Sequence, residues 1–277
     1  MAAERGKLTL VGLGLYDEEG ITVRGMKELE NADFVFAESY TSCLTPGSIE
    51  RLAGRTGKSI QQVSRTDVED AGLILEKALG NRVVLVVPGD PMTATTHVDL
   101  RLRATRKGID TTIVNGVSAL TAVPGLLGLQ HYKFGRTTTV PFPAEGYSPT
   151  SPYEVVRDNL GRGLHTLVLL DIDSENSHYM TANQGLNLLT NMEERIGAGI
   201  LSDRTLVCVV ARAGHPDTSV RAGPLGMISG EDFGPPLHTL VVPGRLHFME
   251  EEALRTFARW SSPNDQNDLD LKGDGRP

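Results

Sequence analysis

The sequence predicts an α/β protein built as two α/β domains, with a parallel N-terminal sheet and a mixed C-terminal sheet. Three observations carry that expectation. Runs with strand and helix character alternate from Lys7 to the segment starting near Ser118, the order of parallel βαβ units. Arg82–Val87 (RVVLVV) is a continuous β-branched run, the mark of a strand buried on both faces. After Thr166 several short strand-like runs follow without intervening helices, which points to a mixed sheet.

The elements read in order as follows. Lys7–Leu13 is a strand that ends in glycines, and Ile21–Asn31 has apolar residues at helical spacing after the acidic stretch Asp17–Glu19. Phe34–Ala37 is a short strand, and residues 65–79 form one helix with Asp67 near its start. The buried strand Arg82–Val87 runs into Pro88-Gly89-Asp90-Pro91. A helix over Thr95–Lys107, the strand Thr111–Val114 and a helix from Ser118 follow. The pattern then weakens, and Pro141, Pro143, Pro149 and Pro152 crowd the stretch Thr137–Tyr153. This stretch reads as the junction of the halves. The second half has the strand Thr166–Asp171, a helix over Thr181–Ile196 and the strands Leu206–Ala211, Ser219–Ala222 and Leu237–Val242. It closes on a helix over His247–Trp260. The expected domains are 1–138 and 139–260. Residues 261–277, polar and poor in apolar side chains, are expected to be disordered.

Composition narrows the function. A length of 277 residues suits one large domain or two of ~100–150 residues. The net charge of −8 offers no electrostatic footprint for a nucleic-acid backbone. No apolar run approaches the ~18 residues of a membrane span, and MAAERGKLTL lacks a secretory core, so a soluble, cytoplasmic protein is expected. Cys208 lies inside an apolar run and Cys43 in a loop. Both read as reduced thiols. The seven histidines are scattered without ligand spacing, so no metal site is expected.

Three strand ends of the first half are the candidate site. Gly12-Leu13-Gly14-Leu15 follows the first strand. Glycine allows a sharp turn and close approach of a ligand, although a plain tight turn needs the same residues. Asp17 stands where a dinucleotide fingerprint needs its third glycine, which counts against a nicotinamide oxidoreductase. In Pro88-Gly89-Asp90-Pro91-Met92-Thr93, the Asp90 carboxylate is placed either to accept hydrogen bonds from ribose hydroxyls or an ammonium group or to close an Asp-based turn. In Asn115-Gly116-Val117-Ser118-Ala119, Ser118 reads as a helix cap. Ligands of parallel α/β sheets bind beyond the carboxyl ends of the strands, so the convergence of three such ends is the informative feature. In the second half, Leu170 before Asp171, Ala211-Arg212-Ala213-Gly214 and Leu237-His238-Thr239 lie at strand ends. They serve either as a wall for an adenine ring or as core. Asp171 and Asp173 read as strand-end turn residues. No nucleophile elbow or P-loop is present.

Several strings resemble the diphthine synthases of the tetrapyrrole-methylase group. They include Gly12-Leu13-Gly14-Leu15-Tyr16-Asp17, Phe36-Ala37-Glu38-Ser39-Tyr40-Thr41-Ser42, and Pro88-Gly89-Asp90-Pro91 with Ala94-Thr95-Thr96-His97. Further ones are Tyr132-Lys133-Phe134-Gly135, Tyr179-Met180-Thr181-Ala182-Asn183 and Val242-Pro243-Gly244-Arg245-Leu246-His247. The resemblance runs from about residue 7 to 257. It implies two α/β domains of the tetrapyrrole methylase type with a cleft for S-adenosyl-L-methionine (SAM) between them, and a homodimer. It implies methyl transfer to a modified histidine of translation elongation factor 2, with S-adenosyl-L-homocysteine as product. Carried over residue by residue, the SAM contacts fall at Leu15, Asp90, Thr93, Ser118, Ala119, Leu170, Ala213 and His238. Asn115-Gly116-Val117 departs from the His-Ala-Pro-like stretch expected before the serine, and Met92 and Thr93 stand where aliphatic residues are common. No side chain stands out as a general base. The Pro-rich stretch Thr139–Tyr153 is a candidate for recognising the elongation factor. Rival readings are a methylase of a corrinoid precursor or of ribosomal RNA, and a non-catalytic nucleotide-binding module.

Overall fold

The computed structural model describes residues 6–38, 40–144, 146–174 and 176–261. The expected disordered tail beyond Ser261 lies outside them. The chain divides into two compact units. One holds residues 1–120 and 172–178. The other holds 121–171 and 179–277.

The first unit is wound from β1 (Lys7–Gly12), α1 (Val23–Glu30), β2 (Phe34–Glu38), α2 (Ser48–Thr56), β3 (Ile60–Val63), α3 (Arg65–Asp70), α4 (Gly72–Ala78), β4 (Arg82–Val87), α5 (His97–Arg106) and β5 (Asp110–Val114). α6 (Ala119–Leu127) begins at its end. The sheet order is β3-β2-β4-β1-β5, and every pairing in it is parallel. β1 and β4 lie at its centre. The reason is in their residues: Leu8, Leu10 and Val11 in β1, and Val83–Val87 in β4, are apolar and at most 2% exposed. Such strands bury both faces under helices.

One expected element is corrected. Residues 65–79 form two helices, because Ala71 adopts a left-handed φ of 58° that ends α3 and opens α4. The apolar spacing runs across the break: Val68, Ala71, Ile74 and Leu75 all reach one core, so the pattern stays helical while the backbone turns.

The second unit contains β6 (Thr138–Val140), α7 (Ser151–Gly161), β7 (Thr166–Leu170), α8 (Ala182–Ile196), β10 (Leu206–Ala211), β11 (Ser219–Pro224), α9 (Leu225–Ile228), β12 (His238–Val242) and α10 (Phe248–Ala258). The two-residue strands β8 (Ile172–Asp173) and β9 (His178–Tyr179) pair with each other. The main sheet has the order β11-β10-β12-β7-β6. β6 and β7 are parallel, while β7, β12, β10 and β11 pair antiparallel, so the sheet is mixed as predicted. α7 emerges from the Pro-rich stretch. Pro152 occupies its first turn, where a missing amide costs nothing. Tyr153 is a fully buried core side chain whose hydroxyl donates to Glu193 at 2.8 Å.

Candidate functional site

The carboxyl ends of β4, β1 and β5 are neighbours in the first sheet. The chain continues the β1–β4 pairing past both strands. Leu13 N–H donates to Val87 O at 2.8 Å, and Gly14 and Gly89 exchange backbone bonds of 3.1 and 2.7 Å. Gly89 sits at φ 72°, a left-handed conformation that glycine adopts without strain. Gly116, after β5, packs directly on this bridge. A Cβ there would overlap Gly89 O and approach Gly12 Cα at 2.9 Å. Three backbones therefore meet where no side chain fits.

Asp90 lies at the centre of this edge. Its Oδ1 accepts from Met92 N–H at 2.9 Å and from the Thr93 hydroxyl at 3.3 Å. Its Oδ2 accepts from Asn115 Nδ2 at 2.9 Å and Gly116 N–H at 3.3 Å. The carboxylate closes the turn after β4 and also ties it to the loop after β5. Ser118 precedes α6, and its hydroxyl accepts from Leu120 N–H at 3.2 Å. That is the capping bond read from the sequence, and Ala119 is the first residue of α6.

Leu15 follows the Gly14 bridge and is half-buried. The next residues are pinned. Tyr16 O accepts from Thr45 N–H at 2.7 Å, Asp17 caps the 3-10 turn Glu18–Gly20, and the buried Glu18 carboxylate pairs with Arg51 at 2.8 Å. A second string fixes the turn after β4 from the β2 side. The buried His97 donates from Nδ1 to Pro91 O at 2.8 Å, and its Nε2 accepts from the Tyr40 hydroxyl at 3.2 Å. Glu38, at the end of β2, accepts from the Tyr40 and Thr41 amides and from the Thr41 hydroxyl. Burial pushes the Glu38 carboxyl up, against the lowering donors of Thr41 and Tyr40. Neither Asn115 nor the Glu38–Tyr40–His97 string was assigned a role from the sequence. Asn115 sits immediately beyond β5 and Tyr40 shortly beyond β2, but Glu38 ends β2 itself and His97 opens α5, where no strand end marks it.

In the second unit, Leu170, Ala213 and His238 gather at one end of the mixed sheet. Leu170 is the last residue of β7, His238 the first of β12, and Ala211, the last of β10, pairs with His238. Ala213 follows in a turn that begins with Arg212 at φ 54°. The Arg212 guanidinium donates to the carbonyls of Phe233, Pro235 and Asp217, which holds that turn. His238 is 5% exposed. Asp173 accepts from Asn176 N–H at 3.1 Å and closes a local turn, whereas Asp171 accepts from Phe142 N–H at 2.8 Å and ties the end of β7 to the chain after β6. The buried pair His165 and Glu250, with the half-buried Lys133, lies at the opposite end, at the start of β7. Among the described residues no group of three His, Cys, Asp or Glu side chains is placed to hold a metal ion, and no helix is long and apolar enough to cross a membrane.

One unit has a parallel sheet with glycine-bared strand ends and the other a mixed sheet. Residues 7–229 match the Tetrapyrrole (Corrin/Porphyrin) Methylases, and the chain belongs to that family. Within it the chain falls among the diphthine synthases. It is 45% identical over 247 residues to the diphthine synthase of Methanothermobacter thermautotrophicus, covering 89% of this chain and 94% of that protein. It is 46% identical over 251 residues to that of Methanocaldococcus jannaschii, covering 90% and 97%. A crystal structure of diphthine synthase superposes with a TM-score of 0.84 at 38% identity, covering 94% of this chain and 98% of that one. The chain is a SAM-dependent methyltransferase of diphthamide biosynthesis.

Proposed function

We propose that the chain trimethylates the α-amino group of the 2-(3-carboxy-3-aminopropyl)histidine residue of translation elongation factor 2, forming diphthine. The observation that carries this reading is the likeness to diphthine synthases over about nine-tenths of the chain. Leu15, Asp90, Thr93, Ser118 and Ala119 in the first unit, with Leu170, Ala213 and His238 in the second, are the proposed SAM contacts. The residues of the first unit fit such a group. Gly12, Gly89 and Gly116 leave backbone bare, the Thr93 hydroxyl supplies a polar group, and Leu15 with the exposed Val117 supplies apolar surface for a ring.

Bound SAM would supply a methyl group on a sulfonium, a strong leaving group. What remains for the protein is positioning, and holding an amine in line at ~3 Å provides a large part of the rate gain. The pinned loops after β1, β4 and β5 are suited to that role because their backbones are fixed before any ligand arrives. The net charge of −8 favours a protein substrate over RNA. The proposal includes a homodimer acting in the cytoplasm. The test is methyl incorporation from labelled SAM into elongation factor 2 carrying the unmethylated aminocarboxypropyl histidine. Three methyls per histidine are expected. No incorporation by folded, SAM-binding protein would overturn the substrate assignment.

A further inference from the structure

We infer that Asn115 is a positioning residue for the cofactor edge, acting through Asp90. A carboxylate offers about four lone-pair directions, and four donors already meet Asp90: Met92 N–H, the Thr93 hydroxyl, Asn115 Nδ2 and Gly116 N–H. The side chain is used within the protein. It joins the loop after β4 to the loop after β5, Asp90 and Asn115 being 25 residues apart. Of the two donors from the β5 side, Asn115 at 2.9 Å makes the shorter bond and Gly116 at 3.3 Å the longer. Asn115 therefore holds the loop carrying Ser118 and Ala119 in register with the loop carrying Thr93. SAM affinity depends on that register, which the Asp90 carboxylate sets through Asn115, leaving the Asp90 backbone to meet the ligand. The inference rests on the proposed function, which places SAM at this edge.

An exchange of the two side chains tests it. Asp90→Asn sets an amide donor against the Asn115 donor, and Asn115→Asp sets two carboxylates together. The double variant Asp90→Asn with Asn115→Asp restores one amide facing one carboxylate in the reverse direction. SAM affinity by calorimetry and the melting temperature without ligand are measured on the full chain. Each single variant is expected to weaken SAM binding about tenfold or more, the scale of one charge-assisted hydrogen bond. The exchange is expected to recover part of that loss, the bond from Gly116 N–H to Oδ2 remaining unmade. Asn115→Ala, which introduces no repulsion, is expected to weaken SAM binding several-fold with kcat at saturating SAM retained. A double variant that melts normally yet binds no better than Asp90→Asn would overturn the inference, as would unchanged affinity in Asn115→Ala. If the unaltered protein itself binds no SAM, the proposed function falls and the inference with it.

Discussion

The amide of Ala182 donates to Nδ1 of His238 at 3.0 Å, tying the first turn of α8 to the first residue of β12. The acceptor role of Nδ1 sets the tautomer, so Nε2 carries the proton and donates to Pro235 O at 3.1 Å. His165 is arranged alike: Gly244 N–H donates to its Nδ1 at 2.9 Å, and its Nε2 donates to Glu250 at 2.9 Å. Burial lowers the pKa of both histidines below 6.5, outweighing the raising effects of Pro235 on one and Glu250 on the other.

Both imidazoles are therefore held neutral, and this sets a pH dependence. As pH falls below 6.5 the unfolded chain takes up protons that the folded protein refuses, so stability falls. The melting temperature is expected to drop between about pH 7.5 and 5.5. In His238→Asn, where an amide oxygen takes the place of Nδ1, the slope is expected to be shallower. An equal slope would show that His238 does not contribute.

Glu250 is fully buried and accepts from Lys133, His165, Gln130 N–H and His247 N–H. Burial alone would raise its pKa, but these donors override it and hold the carboxyl at about 2. Its contribution is complete above the ordinary carboxylate value of 4.5 and is lost as pH falls through about 2. Glu250→Ala is expected to cost about 3–5 kcal/mol, since it leaves several donors unpartnered. Urea unfolding measures this, and a loss below about 1 kcal/mol would refute it.

Gly116→Ala places a methyl group against Gly89 O and the Gly12 backbone. Backbone atoms on both sides leave no flexible side chain to yield, so the loops after β1, β4 and β5 must part. Loss of SAM binding by at least about tenfold is expected in calorimetry, from a displacement on the order of 1 Å. Retained affinity would mean that this contact is not part of the cofactor edge.

Asp90→Ala removes four hydrogen bonds at once. SAM binding is expected to be abolished or greatly weakened while the sheet persists, because the core of β1 and β4 is apolar and independent of that turn. Circular dichroism with calorimetry separates the two effects, and unchanged affinity would remove Asp90 from the site.

Much of the fold was legible locally. Arg82–Val87 and Leu206–Ala211 declare buried strands, because strands that bury both faces need unbroken apolar residues. The capping serine at 118 was equally plain. Residues 42–64 carry no clear local signal, because β3 (IQQV) has two exposed glutamines and α2 opens on Gly47 at φ 81° with no side-chain cap. α7 was hidden by prolines whose permitted position in a first turn shows only once the turn exists.

The sequence by itself determined the class of fold, the three glycine-bearing strand ends and, through its characteristic strings, the family. The first two follow from periodicity and residue type, which act over a few neighbours, and the family follows from the resemblance of those strings. Only the tertiary structure decided what Asp90 does. Its partners Asn115 and Gly116 come from another strand end, brought alongside because β4, β1 and β5 are neighbours in the sheet. That order is set by packing across the whole unit, and no local pattern encodes which donors a carboxylate will meet.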